Sequence, residues 1–153
     1  MKRAQVRERK LRKQIEYTNR VCVENGLIRS SDGNISIRLD ADRFLITPSG
    51  LYKRCLKRKH ILTVDGKGQL IRGKGPLKPS SELLMHLEAY RQREDIGAVL
   101  HAHPPYSTAL TIAGIPFPTI SPLKYWPCWE RSQRHHMQHL EPKIWPDQSA
   151  NRS

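Results

Sequence analysis

The sequence predicts an α/β domain, on three observations. A long N-terminal segment has helical apolar spacing, several short segments alternate polar and apolar residues, and a second helical segment leads into a further strand. No segment repeats.

The first helix spans about residues 4–25. Its apolar positions Val6, Leu11, Ile15, Val21 and Val23 recur loosely at helical spacing, and Asn25-Gly26 supplies a stop. Ser30 to Gly33 form a turn. Asn34 to Leu39 alternate as a half-buried strand does, Asp40 to Asp42 turn the chain, and Arg43 to Thr47 form the paired strand. Pro48, Ser49 and Gly50 end it. His60 to Val64 read as a further strand, with a hairpin return through Asp65-Gly66 into Gln69–Ile71. A loop of Gly, Pro and Lys covers residues 73–79. Ser80, Ser81 and Glu82 open a helix whose apolar face is Leu83, Leu84, Leu87 and Tyr90. Residues 96–103 form a strand that breaks at Pro104-Pro105.

With 153 residues, the chain has room for one domain with its own core. A mean hydropathy of −0.65 and the lack of a long apolar run fit a soluble protein without a spanning helix. No apolar segment follows the basic N-terminus, so no secretory signal is read there. The three cysteines, Cys22, Cys55 and Cys128, are odd in number and far apart, neither a disulfide framework nor a metal clip, and a cytoplasmic setting is the default. The net charge of +13 is concentrated in Lys2–Lys13 and Lys53–Lys59. No nucleic-acid motif accompanies it, so these runs read as solvated surface that also attracts small anions.

His101 and His103 carry the sharpest chemical signal. Alternate residues of a strand share a face, so both imidazoles can reach one divalent ion. Alone, such a pair is more often structural. Its context changes that reading. Ser80 and Ser81 put hydroxyls and free N–H groups at a helix start, an anion site in waiting, and Glu82 sits where the helix dipole favours its ionised form. Gly33-Asn34 and Ser49-Gly50 are two further turns able to cradle phosphate. His86, one helical turn after Glu82, reads as structural rather than as a ligand.

Four blocks in this order, Ser31–Arg38, Ile46–Gly50, Lys78–His86 and Ala98–Leu110, resemble the class II aldolase/adducin family over roughly residues 8–122. The resemblance implies a three-layer αβα fold around a mixed, largely antiparallel sheet. It implies that His101 and His103 bind Zn²⁺ or another divalent metal, and that Glu82 is the acid/base and can also touch the metal. Gly33, Asn34, Ser49, Gly50, Ser80 and Ser81 match the positions that hold the phosphate of a small phosphorylated sugar. The implied reaction is reversible cleavage of a phosphorylated ketose. The same motifs also serve sugar-phosphate epimerases and thioribulose-phosphate dehydratases, and the adducin branch binds without catalysis. The intact form is implied to be a homotetramer, without membrane or nucleic-acid partners.

The sequence divides this family-like part, 1–122, from a tail, 123–153, that fits neither period and is expected to be disordered. All three tryptophans lie there, with His135, His136 and His139 in no matching context. The family's later third histidine ligand has no counterpart here. Read across codon boundaries, Trp126-Pro127 forces Ala and Trp129-Glu130 forces Gly, and a family-like Pro-Tyr-Ala-Thr-Pro-Gly-Thr segment becomes possible. The tail is therefore expected to be the product of a frameshift near Leu123-Lys124, leaving a truncated enzyme one imidazole short of its metal site and expected to be unstable or inactive.

Overall fold

The structure, a computed structural model, describes residues 2–115. The predicted tail and its frameshift junction lie outside the described residues. Eight elements position the site: α1 (Lys2–Glu24), β1 (Asn34–Arg38), β2 (Arg43–Ile46), β3 (Leu62–Asp65), β4 (Leu70–Arg72), α2 (Leu83–Gln92), β5 (Ala98–His101) and α3 (Pro105–Ile112).

Helix α1 ends as its sequence requires. Gly26 takes a φ of +69°, which a side chain would resist. The Leu27 N–H then reaches back to the Cys22 carbonyl at 2.9 Å and the Gly26 N–H to Val23 at 3.2 Å, the paired bonds of a Schellman cap. Two short 3₁₀ turns, Lys53–Cys55 and Arg58–His60, follow β2. The second corrects the expected strand start at His60. The His60 ring accepts the Lys57 N–H at 3.1 Å and the His60 N–H bonds the Lys57 carbonyl at 2.9 Å, which holds the chain in a turn until Leu62.

The strands form one sheet in the order β4-β3-β2-β1-β5, and every pairing among the described strands is antiparallel. Antiparallel partners share a face, so the register sorts the side chains into two sets. Ile35, Leu39 and Leu45 meet α1 through Ile15, together with Leu56 and Ile61. Phe44, Ile46, Leu62 and Val64 meet α2 through Leu83, Leu87 and Tyr90. Helix, sheet and helix make the three layers expected. Arg12 pins α1 to the sheet by donating to the Ile61 carbonyl and, at 2.7 Å, to Thr63 Oγ1.

Two ends differ from the sequence reading. Strand β5 stops at His101, two residues early, because its partner β1 begins at Asn34, opposite His101, and Gly33 before it turns away at φ +71°. Pro104 and Pro105 start a helix that was not anticipated: Pro105 occupies the first turn of α3, where a missing N–H costs nothing.

Leu45 on β2 is fully buried between the sheet and α1, whereas Leu84 on α2 is 72% exposed. Leu45→Ala should cost roughly 2–5 kcal/mol, and Leu84→Ala no more than about 0.5 kcal/mol. Urea unfolding of both variants measures the contrast.

Candidate active site

The site forms where β1, α2 and β5 meet, on the sheet face that α2 covers. Asn34 opens β1 and pairs in register with His101, the last residue of β5. Both lie on one face, so their side chains converge on Glu82, the residue immediately before α2. Glu82 Oε2 accepts from Asn34 Nδ2 and is paired with His101 Nδ1. His103 lies beyond the strand end, but its ring stays on the same side, 4.5 Å from that of His101 between centroids.

One donor atom from each of Glu82, His101 and His103 lies within 4.8 Å of the others. A carboxylate oxygen and two imidazole nitrogens so arranged suit a divalent ion of the zinc type. Burial works to raise the Glu82 pKa. The hydrogen bonds from Asn34 and His101, with the charges of His101 and His103, outweigh it and hold the carboxyl below its usual range. Glu82 is therefore anionic at neutral pH, as a ligand or base must be.

The three turns are drawn together by main-chain bonds through Thr47. Its N–H bonds the Ile35 carbonyl at 3.0 Å and its hydroxyl accepts the Ile35 N–H at 3.1 Å, while its carbonyl accepts the Ser80 N–H at 3.2 Å. The Ser49 N–H bonds the Lys78 carbonyl at 3.0 Å, and Pro48 bridges Pro79. The turns carrying Gly33-Asn34, Ser49-Gly50 and Ser80-Ser81 are thereby tied into one framework. Ser49, Gly50 and Ser81 are exposed, whereas Gly33, Asn34 and Ser80 are buried. Gly33 needs its missing side chain: φ is +71°, and a β-carbon would lie 2.9 Å from the His101 carbonyl. Ser80 Oγ accepts the Glu82 N–H at 3.3 Å, capping the helix entry.

Two further residues are buried beneath the site, one that the sequence did not single out and one that it did. Lys53, read as part of a solvated basic run, is 2% exposed, and its Nζ donates to the Pro48 carbonyl at 3.3 Å, beneath the Pro48–Gly50 turn. Burial pushes its pKa down, and Asp32 and Glu82 offset this only in part. No spacing in the basic run distinguishes this lysine from its neighbours; only the 3₁₀ turn that carries it inward does. The second is His86. As expected it is structural: it is fully buried, one ring nitrogen meets Ser36 Oγ at 2.7 Å, and the other meets Asn34 Oδ1.

With this geometry in view, the comparisons are consistent. The sequence profile of the Class II Aldolase and Adducin N-terminal domain matches residues 13–140. The chain belongs to the class II aldolase and adducin family. That match runs past residue 122, where the sequence reading placed the end of the family-like part. A 5-methylthioribulose-1-phosphate/5-deoxyribulose-1-phosphate aldolase of Rhodospirillum rubrum is 43% identical over 93 residues, 61% of this chain and 40% of that protein. A methylthioribulose-1-phosphate dehydratase of Granulibacter bethesdensis is 43% identical over 89 residues, 58% of this chain and 40% of that one. A solved L-fuculose 1-phosphate aldolase superposes with a TM-score of 0.63 at 33% identity, covering 70% of this chain and 50% of that one. The chain thus spans half or less of the length of these relatives. No helix among the described residues is long and apolar enough to cross a membrane.

The buried His86 gives a pH prediction. Burial, then the nearby His101 charge, push its pKa down from 6.5 to about 4, with Glu82 opposing. Unfolded His86 takes a proton below about 6.5, while the folded residue resists until about 4. Native stability should therefore be complete above that upper value and fall by up to about 3 kcal/mol across this window. Urea midpoints measured from pH 7.5 to 4 should show the fall. The His86→Gln chain should lose that component.

Proposed function

We propose that this chain carries the metal-assisted carbon–carbon cleavage chemistry of a sugar-phosphate aldolase, a lyase that splits a phosphorylated ketose into dihydroxyacetone phosphate and an aldehyde. The observation that carries the reading is the convergence of Glu82, His101 and His103 beside the three knitted turns. In it, Glu82, His101 and His103 hold a divalent metal, zinc first. Such an ion would polarise the ketose carbonyl and favour the negative charge that develops as the bond breaks.

The chain's own groups do the rest. Both hydrogen bonds to Glu82 converge on Oε2, and among the described residues Oε1 takes none. Oε1 is the atom we assign to proton transfer. In cleavage, Glu82 takes the hydroxyl proton of the carbon that departs as the aldehyde, whose oxygen forms the new C=O as the C–C bond breaks, and returns that proton to the carbon that retains the electron pair. In condensation it removes that proton. Gly33, Ser49, Gly50, Ser80 and Ser81 take the phosphate, with Asn34 at the inner wall. Lys53 adds a positive charge beneath the cradle, and a bound phosphate offers it the counter-charge that the neutral Pro48 carbonyl does not. The working assembly is a homotetramer in the cytoplasm.

A second reading has a specific support, the 43% identity to the Granulibacter dehydratase. Dehydration or 4-epimerisation of a sugar phosphate would use the same donors and the same base. An adducin-like binding role fits less well, since all three donors are retained.

With the other reading frame restored after Leu123 and Zn²⁺ supplied, the protein should release dihydroxyacetone phosphate from L-fuculose 1-phosphate or 5-methylthioribulose 1-phosphate, and EDTA should stop it. Glu82→Gln should lower turnover by about 10²-fold or more. Loss of water from the substrate without cleavage would reassign the reaction to the second reading. Lys53→Met should change stability by no more than about 1 kcal/mol, since a buried and poorly paired charge contributes little. It should nevertheless weaken inorganic phosphate binding by about tenfold. Equal phosphate affinity by calorimetry would remove Lys53 from the cradle.

A further inference from the structure

A line of buried polar side chains runs from the core to Glu82, and its direction is fixed by one charge. Asn34 turns its amide nitrogen toward Glu82 Oε2, a carboxylate oxygen that accepts. The Asn34 carbonyl oxygen then faces His86 Nε2, which must carry the ring proton. His86 Nδ1 is left as an acceptor and takes the Ser36 hydroxyl proton at 2.7 Å. Ser36 Oγ in turn accepts from Tyr90 OH at 2.8 Å, and the Tyr90 oxygen receives the Val99 main-chain N–H. Each group has one role, and reversing any of them leaves a donor facing a donor or an acceptor facing an acceptor.

We propose that His86 is a positioning residue: by donating to Asn34 Oδ1 it locks the asparagine amide in the orientation that holds Glu82 in place as a metal ligand and base. The proposal rests on the reading of Glu82, His101 and His103 as the metal site. It concerns a side chain that touches neither metal nor substrate.

Burial makes the lock effective. Asn34 is 5%, Ser36 1%, Tyr90 2% and His86 0% exposed, so water cannot substitute for a lost partner without opening the core. Each member is also anchored independently. Asn34 and Ser36 lie on β1, the central strand of this corner, paired to both β2 and β5. His86 and Tyr90 are one turn apart on α2, and the Tyr90 ring stacks on Phe44 at 4.9 Å. Helix and strand are rigid at these positions, so the Asn34 amide has no other place to rotate. Without the His86 donor the amide can flip. Its carbonyl would then meet the Glu82 carboxylate, and the repulsion would displace Oε2 from His101.

The test uses the full 153-residue chain and Co²⁺ as the probe, in a double-mutant cycle of His86→Leu and Asn34→Ala. Each single variant should weaken Co²⁺ binding by about tenfold or more. The double variant should be no weaker than Asn34→Ala alone, because His86 acts only through Asn34. Multiplying losses, or an unchanged affinity in His86→Leu, would overturn the proposal. Exchange of the Asn34 side-chain amide protons, followed by NMR without metal, gives an independent reading. It should be at least about tenfold faster in His86→Leu than in the parent chain, and equal rates would defeat the lock. Should His86→Leu not fold, Ser36→Ala removes the hydroxyl that holds His86 Nδ1 and is read by the same exchange, faster exchange supporting the lock and an unchanged rate opposing it. If the parent chain binds no Co²⁺ while the exchange difference holds, the metal reading fails and the lock stands.

Discussion

The structure turns on β1, a strand whose two faces have opposite characters. Ile35 and Ile37 point toward α1 and join an apolar core; Asn34, Ser36 and Arg38 point the other way. A central strand that turns a polar face into the protein creates an obligation, since each buried donor or acceptor left alone costs about 1–3 kcal/mol. Helix α2 meets it with His86 for Asn34 and Ser36, and with the Tyr90 hydroxyl for Ser36. Its Tyr90 carbonyl accepts from Arg38 at 2.7 Å. The register of α2 on the sheet is therefore set by hydrogen bonds as well as by Leu83 and Leu87. That register is what brings Glu82, at the helix entry, over the end of β5.

Much of this was legible in the sequence, for identifiable reasons. The alternation of Asn34–Leu39 and the Asn25-Gly26 stop are local signals, and the structure follows them closely. The grouping of Glu82 with His101 and His103 was reached through resemblance of ordered blocks, and the strand pairing supplies the physical cause. What escaped were features decided by distant partners. Lys53 lies in a run that composition alone marks as solvated, and its burial follows from a turn held by the Ser30 carbonyl at 2.8 Å and by Asn19. The start of α3 at Pro105 was read as a break, because a proline reads alike as the end of a strand and the start of a helix. The donor role of His86 could not be read at all, since Ser36 and Asn34 lie 50 and 52 residues away.

The arrangement also shows how a site can be precise at the edge of a sheet. His103 is exposed and Glu82 half-buried, and among the described residues β5 is the last strand of the sheet, with Leu100 48% exposed. A carboxylate at such a position would ordinarily sample several rotamers, each as well hydrated as the next. Here its position is held from behind, by an amide that an imidazole holds, the imidazole's second nitrogen being held by a hydroxyl. The order of the core is thus transmitted to a carboxylate that lies partly open to solvent.

The same logic accounts for the neutral state of His86. A charged imidazole would need an acceptor at both nitrogens and a counter-charge close by; the nearest charged groups are His101, which repels it, and Glu82, which reaches it only through Asn34. Burial therefore settles the ring in its neutral form, with a single proton to place. Placing that proton on Nε2 is the only choice that leaves the Glu82 carboxylate facing a donor. The core and the site are in this sense one hydrogen-bonded object, and the anion at its exposed end determines the orientation of every group behind it.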